Sequence, residues 1–339
     1  MTNAQNLGSA RASGFQVGTV PLDGGAMLAP MSGVSDAGMR REAERFGATL
    51  VFSEMVASDS FLKGDEECRL RAEGAGVELH AVQLVGRDPA PMGEAARRVV
   101  DAGAQIVDIN MGCPARRVAG GLAGCALMRD LDHATRIIES VTSAVAAPVS
   151  VKMRLGWDDD ERNAPQLAQR AEAAGAAMIT VHGRTRRQFY DGRADWRAVS
   201  EVAAAVRIPV VVNGDCQSLE DAQAMLAASG ARAVMIGRAA VGAPWIVGAI
   251  ALSLATGAPL EPPPLAERRE SALAHIEFLL AAMGARSGLR HARKHLAAYA
   301  EKVGAPAPLR AALVRTENPD EALALLAAAF ESAEGLEAA

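Results

Sequence analysis

PVSVKMRLGWDDDERNAPQLAQRAEAAGAAMITVH, residues 148–182, is the stretch whose reading decides the fold. It opens on a short apolar run, PVSVKM at 148–153, and passes through a polar stretch. It becomes Ala-rich and helical in pattern over 163–174, then closes on a second apolar run, MITVH at 178–182. Runs this short, rich in β-branched residues and mostly without alternation, suit parallel strands buried on both faces. Gly175 stands just past the helical segment, where a left-handed C-cap favours glycine.

The same unit recurs in both directions. Further apolar runs lie at 26–30 (AMLAP), 48–53 (ATLVFS), 79–85 (LHAVQLV), 105–110 (QIVDIN), 209–213 (PVVVN) and 233–237 (AVMIG). Helical segments are predicted at 36–47, 91–103, 131–145, 196–206, 218–229 and 244–254, with a weaker one near 59–74. Eight units over this length match an α/β (β/α)8 TIM barrel, placed at 26–256. A doubly wound sheet is the alternative, but its G-x-G-x-x-G fingerprint after the first strand is missing. The prolines of EPPP at 261–264 end the pattern inside a linker at 257–264. Beyond it the pattern is helical throughout, at 265–285, 288–303, 307–315 and 318–332. A small C-terminal helical-bundle domain is therefore predicted over 265–339, with an N-terminal extension over 1–25.

Half of the 339 residues are hydrophobic, enough to bury a core, which excludes disorder as the main state. No apolar run reaches the length of a membrane span, and residues 1–20 lack the pattern of a signal peptide. A cytoplasmic protein without membrane contact is expected, and no obligate protein partner is evident. The four cysteines include no C-x-x-C pair, so neither a disulfide scaffold nor a structural zinc site is expected. The net charge of −5 argues against nucleic acid as a partner, but it hides a gradient. Residues 286–315 hold seven Lys/Arg against the single acid Glu301, and residues 317–339 hold six acids and no base.

In a barrel the site lies at the C-terminal strand ends. Those ends carry Pro30 and Met31, Glu54, Gln83, Asn110 and Cys113, Lys152 and Arg154, His182 and Arg184, Asn213 and Asp215, and Gly237 and Arg238. Any one of these has a plain structural reading, such as an Asn capping a turn. Their convergence on one rim is harder to account for by capping. Asn213-Gly214-Asp215 and Gly237-Arg238 end the last two strands, where barrels commonly bind phosphate. Gly214 and Gly237 let the backbone approach closely, and Arg238 adds a fork of donors. Lys152 could support an anionic ring, and Gln83 and Asn110 could bond a ring edge or the substrate. This spread of polar groups suits flavin mononucleotide (FMN) better than a sugar phosphate, which stays open.

Cys113 is held between Gly112 and Pro114 at a strand end, so its thiol is expected at the rim. The Gly-rich run 120–124 reads as a mobile lid containing or adjoining Cys125. Cys68, Cys125 and Cys216 are given no role. His291 and His295 have helical metal-pair spacing, but no Glu follows His291 as in H-E-x-x-H, so no metal is expected. The run 290–295 (RHARKH) reads as a basic helix face, either solvated or in contact with phosphates.

These residues resemble the tRNA-dihydrouridine synthases, most closely their bacterial B-type branch. The matching runs are LAPMSGVSD at 28–36, VQLVG at 82–86, DINMGCP at 108–114, GGLAGCALM at 120–128, VKMRLGW at 151–157, HGRTRRQFYDGRADW at 182–196, VNGD at 212–215, IGRAAVGAPW at 236–245 and ARKH at 292–295. Residues from about 316 match weakly, and Cys125 stands where the family lid usually has Ser or Ala. The resemblance implies an FMN enzyme that uses NADPH to reduce the C5–C6 bond of a uridine in tRNA, with position 17 of the D-loop suggested. It implies Pro30, Met31 and Ser32 along the flavin, Gln83 at its ring edge and Lys152 at its N1/O2 side. Asn213, Gly214, Asp215, Gly237 and Arg238 would hold the phosphate, with His182 close by, and Cys113 would be the general acid. Asn110, Arg116, Arg117, Arg184, Arg186 and Arg187 would meet the RNA at the rim, and Arg290, Arg293, Lys294 and His295 would grip it from the helical domain. A free-pyrimidine reductase or dihydroorotate dehydrogenase-like barrel, and an RNA-binding protein on a retired barrel, remain as alternatives.

Overall fold

A computed structural model describes residues 14–74 and 76–337 of the chain; residues 1–13 of the expected N-terminal extension lie outside the described residues. Residues 14–25 include a hairpin, β1 (Phe15–Val17) and β2 (Val20–Leu22). The barrel follows as β3 (Ala26–Leu28), β4 (Leu50–Phe52), β5 (Val56–Ala57), β6 (His80–Val85), β7 (Ile106–Met111), β8 (Val149–Arg154), β9 (Met178–His182), β10 (Val210–Asn213) and β11 (Ala233–Ile236). β4 and β5 are two parts of one strand position, broken at residues 53–55, and both pair with β6. β11 pairs with β3 and β4 pairs with β6, so eight parallel positions close into the (β/α)8 barrel that the periodicity predicts.

Every residue of β6 through β11 is buried, which is why their sequences do not alternate. Outward side chains pack beneath α1 (Ala37–Arg45), α2 (Ser58–Leu62), α3 (Glu66–Ala72), α4 (Pro89–Asp101), α6 (Leu131–Ala144), α7 (Ala164–Ala173), α8 (Val199–Ala205), α9 (Leu219–Ser229) and α10 (Trp245–Thr256), while the short α5 (Arg116–Ala119) lies between β7 and α6. The weak segment near 59–74 forms two short helices because Gly64 turns with φ of +82° and the Asp65 side chain caps α3 at the Cys68 N–H. Inward side chains at the N-terminal end, including Met27, Ile106 and Met178, pack on Phe15, Val17 and Leu22 of the hairpin. The hairpin thus stoppers the bottom of the barrel, leaving polar inward positions to gather at the top.

Beyond the linker come α11 (Leu265–Met283), α12 (Ala285–Lys302), α13 (Ala307–Arg315) and α14 (Pro319–Glu337). They share a core with Ala243 and Trp245, at the start of α10, so the helical region rests on the side of the barrel where β11 meets β3. Trp245 stacks on Tyr299 of α12 at 6.3 Å and meets Phe46 edge-on at 6.2 Å.

α10 approaches the end of α1 so closely that a Cβ on Gly248 would lie 1.8 Å from the Phe46 carbonyl oxygen. In an exposed helix, Gly→Ala gains about 1 kcal/mol. Here Gly248→Ala is expected to lose about 1–3 kcal/mol through overpacking, read as a lower urea midpoint. A raised midpoint would contradict the packing.

Candidate active site

Strand register builds the site. It sets Gln83 beside Asp108, Asn110 beside Lys152, Arg154 beside His182, and His182 beside Asn213. A cavity of about 720 Å³ opens over these strand ends. Pro30, Met31, Ser32, Gln83, Lys152 and His182 line it, and so do Asn213, Gly214, Asp215, Gly237 and Arg238. Asn110, Cys113, Arg154, Tyr190 and Lys302 belong to the same wall.

The floor is a chain of hydrogen bonds. Ser150 donates to Asp108 Oδ1 at 2.6 Å and Gln83 Nε2 donates to Asp108 Oδ2 at 2.6 Å. Asn110 Nδ2 donates to Gln83 Oε1 at 2.8 Å, and its Oδ1 accepts from the Gly112 and Cys113 N–H groups at 3.2 and 2.9 Å. Asn110 therefore shapes the Cys113 turn as well as lining the cavity. Asp108 is a site residue that the motif reading passes over, although a carboxylate inside the apolar run QIVDIN is itself a signal, since a buried charge needs partners. Burial pushes its carboxyl up to about 6, against the hydrogen bonds from Gln83 and Ser150.

Cys113 is half-buried at the edge of this floor. Arg154, itself buried, donates from Nε to the Gly112 carbonyl at 2.9 Å and from Nη1 to the Thr185 and Phe189 carbonyls at 2.9 and 2.7 Å. Burial raises the Cys113 pKa, so the group is a thiol at neutral pH, able to donate a proton. Cys125 departs from the lid reading. Its N–H donates to the Cys113 carbonyl at 3.2 Å, it is fully buried, and burial pushes its thiol up to about 12. It belongs to the turn's packing, within a 3-10 helix at Gly124–Arg129, and not to a loose segment.

Lys152 donates from Nζ to Asn213 Oδ1 at 2.9 Å, and Asn213 Nδ2 donates to the Met235 carbonyl at 2.8 Å. Burial, reinforced by the charge of Arg154, brings Lys152 down to about 8. Burial and the neighbouring cations Lys152 and Arg154 keep His182 neutral. Gly214 has φ of +120°, and a Cβ there would stand 2.8 Å from the His182 ring, so the turn requires glycine.

Asp215 acts through its partners. Arg184 grips both carboxylate oxygens at 3.0 and 2.6 Å, Arg238 donates to Oδ1 at 2.8 Å, and the Ala194 N–H donates to Oδ2 at 2.8 Å. Partial burial would raise this carboxyl, but those donors hold it below its ordinary range. The carboxylate thereby aims Arg238, which is 66% exposed, across the mouth beside the Tyr190 ring. Arg184 corrects the sequence reading. At 1% exposure, with donors also on the Asp191 and Gly192 carbonyls, it is a buried brace and not an RNA contact.

The other rim arginines stay outside. Arg116 and Arg117 are exposed on α5, Arg187 is exposed beside Asp158, and Arg186 stacks on Trp157 and Phe189. On α12, Arg290 and Lys294 are exposed and Arg293 is half-buried. His295 is the second correction. It is fully buried, 3.1 Å from Asp36, and burial pushes its ring down to about 4, so it is neutral and turned away from any phosphate. Lys302, unremarkable in the sequence, brings the end of α12 to the cavity wall.

A closed barrel with this cationic rim beside a neutral thiol defines the chain as a TIM-barrel enzyme. The family model for dihydrouridine synthases matches residues 27–334. The chain is 52% identical over 316 residues to a protein of Rhodobacter capsulatus named a probable tRNA-dihydrouridine synthase, covering 92% of this chain and 97% of that one. It is 46% identical over 319 residues to tRNA-dihydrouridine synthase B of Xanthomonas axonopodis pv. citri, covering 94% and 96%. The chain belongs to the dihydrouridine synthase family and is an oxidoreductase. Among solved structures, histamine dehydrogenase from Rhizobium sp. 4-9 shares the fold with a TM-score of 0.55 at 12% identity, over 79% of this chain and 51% of that one.

Asp108 generates a pH prediction. Its folded pKa, about 6, lies above its ordinary 3.8, so the native state holds the extra proton. That contribution is complete below about pH 4 and lost as pH rises through about 6, amounting to at most about 3 kcal/mol. Asp108→Asn, which keeps an acceptor and removes the charge, is expected to flatten stability over that window in urea titrations. An unchanged slope would assign the pH dependence elsewhere.

Proposed function

We propose that the chain reduces the C5–C6 double bond of a uridine in the D-loop of tRNA, position 17 being the favoured site, with FMN as its cofactor and NADPH as the reductant. The observation that carries this reading is the convergence of Lys152, Arg238 and the Cys113 thiol on one cavity. The residues fit FMN. The Gly214–Asp215 and Gly237–Arg238 backbone with the aimed Arg238 suits a phosphate, and Lys152 on the floor suits the pyrimidine edge of the ring. Pro30, Met31 and Ser32 would flank the ring, Gln83 would meet its edge, and His182 stays uncharged near the phosphate end. When bound and reduced, FMN supplies a hydride from N5 to uridine C6.

The chain's own work is then to open the RNA, orient the base and finish the protonation. A uridine must leave its stack to enter a barrel mouth. Arg116, Arg117, Arg186 and Arg187 would meet the RNA around that mouth, and Arg290, Arg293 and Lys294 would extend the contact along α12. Arg184 and His295, being buried, drop out of the set. Asn110 shapes the turn that aims the thiol. As negative charge develops over C5 and O4, Cys113 gives its proton to C5, and Arg154 holds the Gly112 carbonyl so that the thiol keeps its place. General acid catalysis of this kind is worth about 10²–10⁴-fold.

Cys113→Ala is expected to bind FMN, accept electrons from NADPH and bind tRNA, while reoxidation of the reduced flavin by tRNA slows by about 10²-fold or more. Anaerobic single-turnover kinetics reads this step directly, and a wild-type rate there would remove Cys113 as the acid. Cys125→Ala serves as the control, with the rate nearly unchanged.

Reversing Arg290 and Arg293 to Glu is expected to weaken tRNA binding and flatten its salt dependence, with NADPH oxidation in the absence of tRNA unaffected. Equal affinity for variant and wild type at low salt would place the RNA elsewhere.

A further inference from the structure

We propose that Asp36, His291 and His295 form a zinc site at the junction of the barrel and the helical region. Asp36 follows β3, on the same loop as the cavity residues Met31 and Ser32. Its Oδ1 caps α1 by accepting from the Met39 N–H at 3.0 Å, and it also accepts from His275 Nε2 at 3.1 Å. The other ring nitrogen of His275 lies 3.0 Å from the Tyr299 hydroxyl. With the hydroxyl donating to Nδ1, the proton of His275 sits on Nε2 and points at the carboxylate. His275 and Tyr299 thus orient Asp36 in the way that outer partners orient metal-binding carboxylates.

Asp36 Oδ2, which His275 Nε2 also approaches at 3.3 Å, faces a second pair. His295 Nε2 lies 3.1 Å away and His291 Nε2 lies 3.7 Å away. The ligand atoms of the three residues all fall within 4.8 Å of one another. Both nitrogens are buried, yet neither has a hydrogen-bond partner of acceptable geometry. A metal ion between these nitrogens and the carboxylate oxygen would supply the partner that each nitrogen lacks. Tetrahedral zinc with bonds of about 2.0–2.2 Å separates its ligands by roughly 3.3–3.5 Å, and the two observed separations bracket that span. His291 and His295 lie one helical turn apart on the same face of α12. Two imidazoles and a carboxylate suit zinc better than calcium or magnesium, which prefer all-oxygen shells. His291 also lines a solvent groove of about 600 Å³ with Arg290 and Lys294, from which a water would complete the shell.

The site would pin the loop after β3 to α12, coupling the cavity wall to the basic helix. No H-E-x-x-H pattern marks it in the sequence because the third ligand comes from the opposite end of the chain, beyond the reach of helical spacing.

The test uses the full-length chain with its cofactor bound, stripped by a chelator and then given zinc alone. One zinc per chain is expected to survive dialysis and to raise the thermal midpoint. His291→Ala, at a position whose side chain is 19% exposed, is expected to reduce zinc affinity by at least about 10-fold while circular dichroism and flavin absorbance stay unchanged. Cobalt in place of zinc should give the visible bands of a tetrahedral site without the thiolate charge-transfer band that cysteine ligation produces. A wild-type chain that retains no zinc, His291→Ala retaining as much as wild type, or a thiolate signature in the cobalt form would each overturn the site.

Discussion

Closure of β4 onto β6 is the constraint from which the rest of the molecule follows. Once the eight positions are closed, register is no longer free to slip, because a one-residue shift would turn every inward side chain outward. The closed register is what puts Asn110 next to Lys152 and His182 next to Asn213. It also sorts the interior by height. The hairpin fills the bottom with Phe15, Val17 and Leu22, so Asp108, Gln83 and Ser150 meet above an apolar plug and the cavity begins above them.

That layering sets the electrostatics. Lys152, Arg154, Arg184 and Arg238 crowd one rim, and Asp108 and Asp215 are the acids bonded within it. Asp215 is consumed by two arginines, and Asp108 is pushed toward its neutral form by burial. Burial, with the neighbouring positive charge adding to it, drives Lys152 down to about 8 and keeps His182 neutral. A bound anion would relieve the part of this shift that is repulsion. The same burial acts on Cys113 in the opposite chemical sense, keeping its proton in place.

Among the described residues, the helical region reaches this site through one helix. α12 carries the basic residues on one side and His291 and His295 on another, and it ends at Lys302 on the cavity wall. Trp245 and Tyr299 clamp it to the barrel, and the Asp36–His275–Tyr299 chain locks it beside the loop after β3.

The barrel was legible in the sequence because burial on both faces leaves a one-dimensional mark: short β-branched runs such as PVVVN, separated by Ala-rich helices. The rim residues were legible for a related reason. Strand ends in a barrel share one level, so polar residues that close successive apolar runs must face a common mouth. Position along the chain carries no direction for a side chain. Arg184 and Arg186 are two residues apart, yet one is buried on Asp215 and the other stacks at the surface on Trp157. Cys125 follows a glycine run that reads as loose, but its backbone bonds to Cys113 and its thiol has no solvent. His295 belongs to a run of cations and still turns inward, because its partner Asp36 comes from the other end of the chain. Periodic burial is a local property that sequence records, whereas the partner of a buried polar group is set by closure and docking, which only the tertiary structure decides.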